Sequence, residues 1–376
     1  MAGNLRARLS RIRATPDRPR PARAVAASAF PEGWAAIGEG IRFKESISPT
    51  PSVSPGKSMR LAAFSGRFSA EEARIGDIVF FDLETTGLSG GSGTVAFLAA
   101  IGSAREDGTF SVRQYFMDDY PFEPAFLECL ASEFSRAVAV VTYNGSSFDM
   151  PLYAVRRAMN GYGPPGRLVH VDALHAARRL WRETLRDCSL GSLEEAILGV
   201  RREDDIPGFE VPQAWFDYLR LGETERLSRV FRHNELDVRS LASLFFLIDG
   251  AANGLQSVTA GDPVGLASLQ ERVDEALAER SLKTALEDGC LRAVRPLMRL
   301  YRRQGRAAER LELVPSLPDD PAGLFSRSVY AERATGDRVE SLRLVRMCRE
   351  SAGGALLERA ERRESRLKRK IEEKET

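Results

Sequence analysis

The stretch Ile78-Val79-Phe80-Phe81-Asp82-Leu83-Glu84-Thr85-Thr86-Gly87 decides the fold of this chain. Its apolar first half predicts a buried strand, and strand side chains alternate between faces, so Asp82 and Glu84 point to the same side. Two carboxylates on one face repel each other, and a hard cation such as Mg²⁺ or Mn²⁺ relieves that repulsion. The alternative is a strand that merely ends in polar residues.

The elements around this strand indicate an α/β fold. Short turns separate three predicted strands, as in an antiparallel meander, at Ile78–Leu83, Val95–Ser103 and Phe110–Met117. Two further strands alternate with helices, which indicates parallel crossovers: Pro121–Glu133, Ala137–Thr142, Met150–Gly161, Leu168–Val171 and Ala173–Arg182. This order predicts a ribonuclease H-like mixed sheet flanked by helices.

A second acidic position follows the predicted strand Ala137–Thr142 in the segment Tyr143-Asn144-Gly145-Ser146-Ser147-Phe148-Asp149. The chain leaves the sheet at its carboxyl edge, where open α/β sheets bind ligands, and Asp149 begins a helix there. A simple N-cap is the competing interpretation of Asp149. We also favour an N-cap over a carboxylate that supports a metal ligand for Asp172, which lies between a strand and a helix, and a solvated turn over a metal site for Asp204-Asp205.

The third acidic position lies in Arg232-His233-Asn234-Glu235-Leu236-Asp237, within an apolar helical run. His233 and Asp237 are four residues apart and therefore share one face of a helix. An imidazole beside a metal-binding carboxylate suits a general base that takes a proton from water. The alternative is an exposed polar pair.

Together these segments resemble the three motifs of the DEDD exonuclease superfamily, over roughly residues 77–248. Asp82 and Glu84 fit the first motif, Asn144 with Phe148-Asp149 the second, and Asp237 the third. Within the superfamily the chain is similar to the YprB-like group of ribonuclease H-like proteins. One departure concerns the histidine: relatives with a catalytic histidine have it five residues before the last aspartate, where Arg232 stands here, and His233 is four before.

The resemblance implies a 3′-to-5′ exonuclease that uses two divalent cations, Mg²⁺ or Mn²⁺, on single-stranded or frayed nucleic acid. It implies that four acids bind the metals and that His233 joins them in catalysis: Asp82, Glu84, Asp149 and Asp237. It further implies that seven residues contact the substrate: Thr85, Thr86, Gly87, Leu88, Tyr143, Asn144 and Phe148. From the residues alone, an ordinary core tyrosine is favoured for Tyr143 over a ring that stacks on a base.

Composition favours a cytoplasmic protein without a membrane segment. No apolar run approaches the roughly 20 residues that a membrane span requires. The scattered cysteines Cys129, Cys188, Cys290 and Cys348 favour neither disulfides nor a zinc site. The formal net charge is +1, so nucleic acid would have to bind a local basic groove or the metals. The Arg-rich start is also compatible with an organellar transit peptide.

Four segments are predicted: a flexible basic, Pro-rich arm over 1–60, the ribonuclease H-like domain over 76–250, a helical-repeat, TPR-like domain over 263–360, and a charged tail over 361–376. The helical region is predicted from amphipathic periods broken by Gly, Pro or Asp, the first at Leu266–Leu277. Either it binds a protein partner or substrate, or it only packs on the preceding domain.

Two other functions remain open at this point. One is a non-catalytic scaffold that binds nucleic acid through a nuclease fold, and the other is a structure-specific endonuclease. Neither DNA nor RNA is selected by any of these motifs.

Overall fold

The computed structural model describes residues 30–51, 58–64, 72–87, 93–166 and 168–375. The strands are β1 (Ala35–Gly38), β2 (Ile41–Pro49), β3 (Ser58–Arg60), β4 (Glu72–Arg74), β5 (Ile78–Thr85), β6 (Ala96–Ala104), β7 (Thr109–Met117), β8 (Ala139–Thr142) and β9 (Val169–Asp172). Among these, seven form one sheet in the order β1-β2-β7-β6-β5-β8-β9, and β3 pairs separately with β4.

The sheet is mixed, and β5 is the strand at which its direction changes. β5 pairs antiparallel with β6 and parallel with β8, so Phe80 faces Gly102 on one side and Val141 on the other. β6 pairs antiparallel with β7, and β8 pairs parallel with β9. The predicted meander and crossovers are confirmed.

The helices of the first half are α1 (Glu123–Phe134), α2 (Asp149–Met159), α3 (Ala173–Trp181), α4 (Leu190–Leu193, continued by a π-helical turn), α5 (Val211–Leu221) and α6 (Glu225–Ala252). Those of the second half are α7 (Pro263–Gln270), α8 (Glu275–Glu287), α9 (Val294–Arg303), α10 (Ala307–Glu312), α11 (Pro321–Arg333), α12 (Arg338–Ser351) and α13 (Gly354–Glu375). None of the described helices is long and apolar enough to cross a membrane.

A hydrophobic core lies on each face of the sheet, because the side chains of β5 alternate. Phe80 packs with the apolar face of α6, while Phe81 belongs to the opposite core with residues of α1, α2 and α5. A Cβ at Gly102 would lie 2.5 Å from Cγ1 of Val238, so glycine at this position allows α6 to cross the sheet closely. Asp82 and Glu84 continue the Phe80 side and therefore face α6.

Part of the predicted flexible arm is in fact a strand pair. β2 pairs with β7 from Ile41↔Met117 to Pro49↔Thr109, and β1 extends the sheet beyond it. The prediction of an arm over 1–60 is therefore wrong for 35–49, because those backbone groups satisfy their hydrogen bonds in the sheet. Residues 1–29 and 52–57 lie outside the described residues.

The all-helical second half is confirmed, with different boundaries. The predicted helix Leu266–Leu277 is two helices, since Asp274 caps α8 by accepting from the amides of Ala276 and Leu277. Residues 361–375, predicted as a charged tail, continue α13, in which Leu367 is fully buried. A TPR-like repeat and the domain boundaries remain predictions.

Candidate active site at the carboxyl edge of the sheet

Asp82 and Glu84 project from the carboxyl end of β5 toward α6. The Asp82 carboxylate accepts a hydrogen bond of 2.8 Å from Nδ2 of Asn234, a fully buried residue of α6. Nε2 of Gln114 donates to Oδ1 of the same asparagine at 3.1 Å, which fixes the orientation of its amide. The position of Asp82 is therefore set by a buried polar chain from β7 through α6.

The loop that carries Asp149 is folded by backbone constraints. Asn144 adopts a φ of 63°, and a Cβ at Gly145 would lie 2.5 Å from Cβ of Thr142. The Asp172 carboxylate accepts hydrogen bonds from the amides of Asn144 (2.9 Å) and Ser146 (3.0 Å). It also caps α3 through the amide of Leu174, so the N-cap interpretation of Asp172 is confirmed.

Asp149 is the first residue of α2 rather than its cap, a position that Phe148 occupies. Its buried carboxylate lies near its own amide and that of Leu83, the residue between the two β5 acids, and both amides act to lower its pKa. The capping alternative is therefore not what the structure has, and Asp149 lies against the end of β5.

His233 and Asp237 share the face of α6 that turns to this edge. Nε2 of His233 is 3.9 Å from Oε1 of Glu84 and 3.5 Å from Oδ2 of Asp237. Its Nδ1 lies 2.8 Å from Oδ1 of Asp205. Asp205 thus holds the imidazole ring, and the solvated-turn interpretation of this residue is wrong because its side chain is hydrogen-bonded to His233.

Arg202 is the unexpected member of the site. Its guanidinium makes a two-pronged ion pair with Glu194, at 2.5 and 2.7 Å, and a further ion pair with Asp237. The Arg202 and Glu194 side chains are only 12% and 2% exposed, so the pair is desolvated. A positive charge from the loop after α4 therefore already neutralises part of the acidic site.

The electrostatics show that the four predicted acids are neighbours. Burial raises the pKa of Asp82 well above its usual range, and the charges of Asp237, Glu84 and Asp149 raise it further. The pKa of Glu84 is raised in the same way, by burial and then by Asp237 and Asp149. Burial raises the pKa of Asp149 to about 7, and burial also raises that of Asp237 although His233 and Arg202 oppose it.

The donor chemistry of this acid cluster, Asp82, Glu84, Asp149 and Asp237, fits a hard divalent cation. Carboxylate oxygens are the ligands that Mg²⁺ and Mn²⁺ prefer, and added positive charge would relieve the repulsion that the raised pKa values report. Across the described residues, no group of three or more Asp, Glu, His or Cys side chains is arranged so that it could hold a metal ion as it stands. Asp237, held by Arg202, would have to exchange its partner.

The predicted substrate-contacting residues lie around the cluster in different environments. Thr85 is buried with its hydroxyl donated to the Gly87 carbonyl (2.8 Å), and Oγ1 of Thr86 accepts from the amide of Val95 (3.0 Å). The Tyr143 ring packs at the edge of the core and its hydroxyl donates to the carbonyl of Cys188. The ordinary-core interpretation of Tyr143 thus matches its contacts.

Two other predicted substrate-contacting residues lie in the loop between β8 and α2, and a third has no described position. Asn144 is exposed, and Phe148 is half-buried at the start of α2. Leu88 lies outside the described residues.

The first half of the chain is similar in sequence to known proteins. Residues 79–248 match the family model described as the RNase_H superfamily. Over 186 residues the chain is 37% identical to the protein named "Uncharacterized protein YprB" of Bacillus subtilis (strain 168). That match covers 49% of this chain and 45% of the relative, so the chain spans less than half the length of that protein.

Two solved structures are more distantly similar. The family B DNA polymerase of the hyperthermophilic archaeon Pyrobaculum calidifontis is 19% identical with a TM-score of 0.36, covering 54% of this chain and 29% of that one. E. coli Exonuclease I in complex with a dT13 oligonucleotide is 18% identical with a TM-score of 0.28, covering 42% of each chain. Because both TM-scores are below 0.5, neither likeness bears on the activity of this chain.

Proposed function

We propose that this chain is a metal-dependent nuclease that removes nucleotides from the 3′ end of single-stranded or frayed nucleic acid. The observation that carries the proposal is the acid cluster, in which four carboxylates from β5, α2 and α6 lie at one edge of the sheet with their pKa values raised by burial and by neighbouring acids. Repulsion of this kind costs stability, and it is typical of functional sites. The 3′-to-5′ polarity comes from the resemblance of the motifs to DEDD exonucleases.

In the proposed enzyme, Asp82, Glu84, Asp149 and Asp237 would hold two divalent cations, Mg²⁺ or Mn²⁺. When bound, such cations supply charge neutralisation to a phosphodiester and acidify water. The carboxylates themselves fix where that charge lies, and Asn234 keeps Asp82 oriented through its hydrogen bond.

His233 is oriented to accept a proton at Nε2. A carboxylate with a lowered pKa can only accept a hydrogen bond, and burial of Asp205 is outweighed by His233 and Arg202, which lower its pKa. Nδ1 of His233 lies 2.8 Å from this carboxylate and 3.1 Å from Nη1 of Arg202, so Asp205 favours a proton on Nδ1 whereas Arg202 favours a lone pair there. In the proposed enzyme Nδ1 carries the proton, and Nε2 presents its lone pair toward Glu84 and Asp237. This arrangement is that of a general base held by a third group.

The proposal is tested by digesting oligonucleotides labelled at either end, as DNA and as RNA, with Mg²⁺ or Mn²⁺. We expect successive shortening from the 3′ end, and no digestion by the Asp82→Ala variant. Asp204→Ala is the matched control because Asp204 is an exposed acid of the same region. Unchanged substrate, or equal digestion by Asp82→Ala, would contradict the proposal, and cleavage of a circular single strand would identify an endonuclease instead.

A second candidate function is supported by Arg202. Its ion pairs with Asp237 and Glu194 satisfy part of the acidic charge from within the protein, as in a nuclease fold that binds nucleic acid without hydrolysing it. Isothermal titration with Mn²⁺ separates the two candidates. The enzyme is expected to bind a pair of ions and the scaffold none.

A further inference from the structure

The exposed face of α9 carries a row of arginines. Arg295, Arg299 and Arg302 are spaced by four and three residues, so they lie on one side of the helix, while Leu297 and Leu300 are buried on the other. Arg310 of α10 lines the same open cavity of about 270 Å³. By the helical rise, Arg295 and Arg302 are roughly 10 Å apart along the axis.

A second basic surface lies on α3 and at its end. His175, Arg178, Arg179 and Arg182 recur at helical spacing and are exposed, and they line an open cavity of about 460 Å³. Arg292, just before α9, completes that cavity from the helical half of the chain.

The two surfaces are linked along the chain, because Arg292 and Arg295 lie three residues apart and each lines one of the two cavities. We call the row the arginine track: Arg178, Arg179, Arg182, Arg292, Arg295, Arg299, Arg302 and Arg310. Some members are neutralised, since Arg292 pairs with Asp262 and Glu183, and Arg295 with Asp320.

Most of the track keeps its charge available. Five of its arginines make no ion pair with any residue that the structure describes: Arg178, Arg179, Arg299, Arg302 and Arg310. These guanidinium groups give the surface a local excess of positive charge, although the formal net charge of the whole chain is only +1. Planar guanidinium groups suit phosphate oxygens, which they bind through two parallel hydrogen bonds.

The helix that carries the first part of the track starts at the same edge of the sheet as the acid cluster. This helix, α3, starts directly after Asp172, and the carboxylate of Asp172 holds the Asn144–Ser146 loop that leads to Asp149. From there α3 leads to Arg182 and the cavity shared with Arg292, and α9 continues the row.

We propose that the arginine track binds the phosphodiester backbone of the nucleic acid strand whose end enters the acid cluster. The choice of nucleic acid as the polyanion rests on the proposed function. The helical half of the chain is then a substrate-holding surface rather than a packing appendage, and it makes long strands better ligands than short ones.

The test is fluorescence anisotropy of a labelled single strand of about 20 nucleotides, titrated with the full chain in EDTA over a range of salt concentrations. The variant is Arg299→Ala/Arg302→Ala/Arg310→Ala. If each arginine neutralises one phosphate, the slope of log K against log salt falls by about 2 and binding weakens on the order of 100-fold at 0.1 M salt. The matched control, Arg220→Ala/Arg362→Ala/Arg369→Ala, removes the same charge from other exposed positions and should keep the wild-type slope.

Equal slopes for the track variant and the control would overturn the inference. So would a track variant that binds the oligonucleotide normally but loses binding to phosphatidylserine vesicles or to polyglutamate. Hydrolysis of bis(p-nitrophenyl) phosphate, too small to reach the track, is expected to be unchanged in the variant and lost in Asp82→Ala. Binding without hydrolysis in the wild type would contradict the proposed function and leave this inference standing.

Discussion

Buried carboxylates occur in both halves of this chain, in opposite electrostatic settings. In the acid cluster, like charges lie together and the pKa values of Asp82 and Glu84 are raised by burial and by their neighbours. In the helical half, burial of Glu332 is outweighed by Lys370, Arg363 and Arg366, which lower its pKa.

Other acids of the helical half behave like Glu332. A hydrogen bond from Arg306 is the main cause that lowers the pKa of Glu279 to about 2, and one from Lys368 lowers the pKa of Glu364. The difference shows that the direction of the pKa shift is more informative than burial itself. A lowered pKa marks an acid whose charge stabilises the fold, and a raised pKa marks an acid whose charge destabilises it.

The largest effect is expected from removing a charge of the acid cluster. Glu84→Gln should lower the initial rate of oligonucleotide hydrolysis by about 1,000-fold or more, the scale of losing one preorganised charge at a reacting centre. The rate is measured with saturating Mn²⁺ on a 3′-labelled single strand. Glu195→Gln, an exposed acid at 71% side-chain exposure, is the control and should hydrolyse at the wild-type rate. Equal rates for Glu84→Gln and wild type would remove the distinction between the two halves.

At Arg202 the acid cluster resembles the helical half, because a buried arginine there neutralises neighbouring carboxylates. Arg202→Met would leave Glu194 and Asp237 without their cation, and breaking a buried pair costs about 3–5 kcal/mol. Urea unfolding in EDTA, followed by tryptophan fluorescence, should show that loss, because Trp34, Trp181 and Trp215 all lie in the first half. Saturating Mn²⁺ should restore more stability to this variant than it adds to the wild type, since Asp237 is then free of its guanidinium partner.

The matched control for this experiment is Arg201→Met, whose side chain is 85% exposed. Its free energy of unfolding should stay within about 1 kcal/mol of wild type, as for surface ion pairs in general. A similar loss in both variants would show that Arg202 acts through helix and loop packing rather than through its charge.

Asn234 tests whether the cluster depends on its support from α6. Asn234→Leu keeps the branched shape and number of heavy atoms of the side chain but removes the donor to Asp82 and the acceptor for Gln114. The free energy of unfolding should fall by about 1–3 kcal/mol, because the Gln114 amide is left buried without this partner. The hydrolysis rate should fall by about 10- to 100-fold, as when an outer ligand partner is removed. A stability loss without any rate loss would limit Asn234 to a packing role.

The features of the acid cluster that depend on local sequence pattern could be predicted from the sequence. The apolar run before Asp82, the Asn144–Asp149 loop and the spacing of His233 and Asp237 each place a side chain relative to its own strand or helix, and the structure brings these elements together. β1 and β2 were not predicted, because the alternation of Ile41, Phe43 and Ile47 is short, only partly buried and set among Pro and Ser residues.

Arg202 and Asp205 could not be found in this way. Their partners Asp237 and His233 are 35 and 28 residues away, so the pairing exists only once the loop after α4 folds back onto α6. In the sequence they are simply charged residues in a turn. The arginine track is intermediate: its helical spacing is visible in Arg295, Arg299 and Arg302, but its continuity with α3 depends on tertiary packing.

The pH dependence of stability offers the finest test, because the two halves should respond with opposite signs. Asp149 has a folded-state pKa of about 7 against about 3.9 unfolded, so the folded state binds the extra proton in that window. Its contribution therefore falls as pH rises from about 4 to 7, by at most about 1.4 kcal/mol per pH unit. Asp149→Asn, measured by tryptophan fluorescence in EDTA, should remove that slope.

Glu332 should show the reverse sign. Its folded-state pKa is lowered, so its stabilising contribution is complete above the unfolded value of about 4.3 and is lost as pH falls through the folded value. Far-UV circular dichroism, which the many helices of the second half dominate, should therefore report acid destabilisation that Glu332→Gln diminishes. If instead stability did not fall between pH 4 and 7, or if Asp149→Asn left that fall unchanged, the acids near β5 would be ordinary ion-paired carboxylates. A functional cluster requires the opposite, because its acids are held together against their own repulsion.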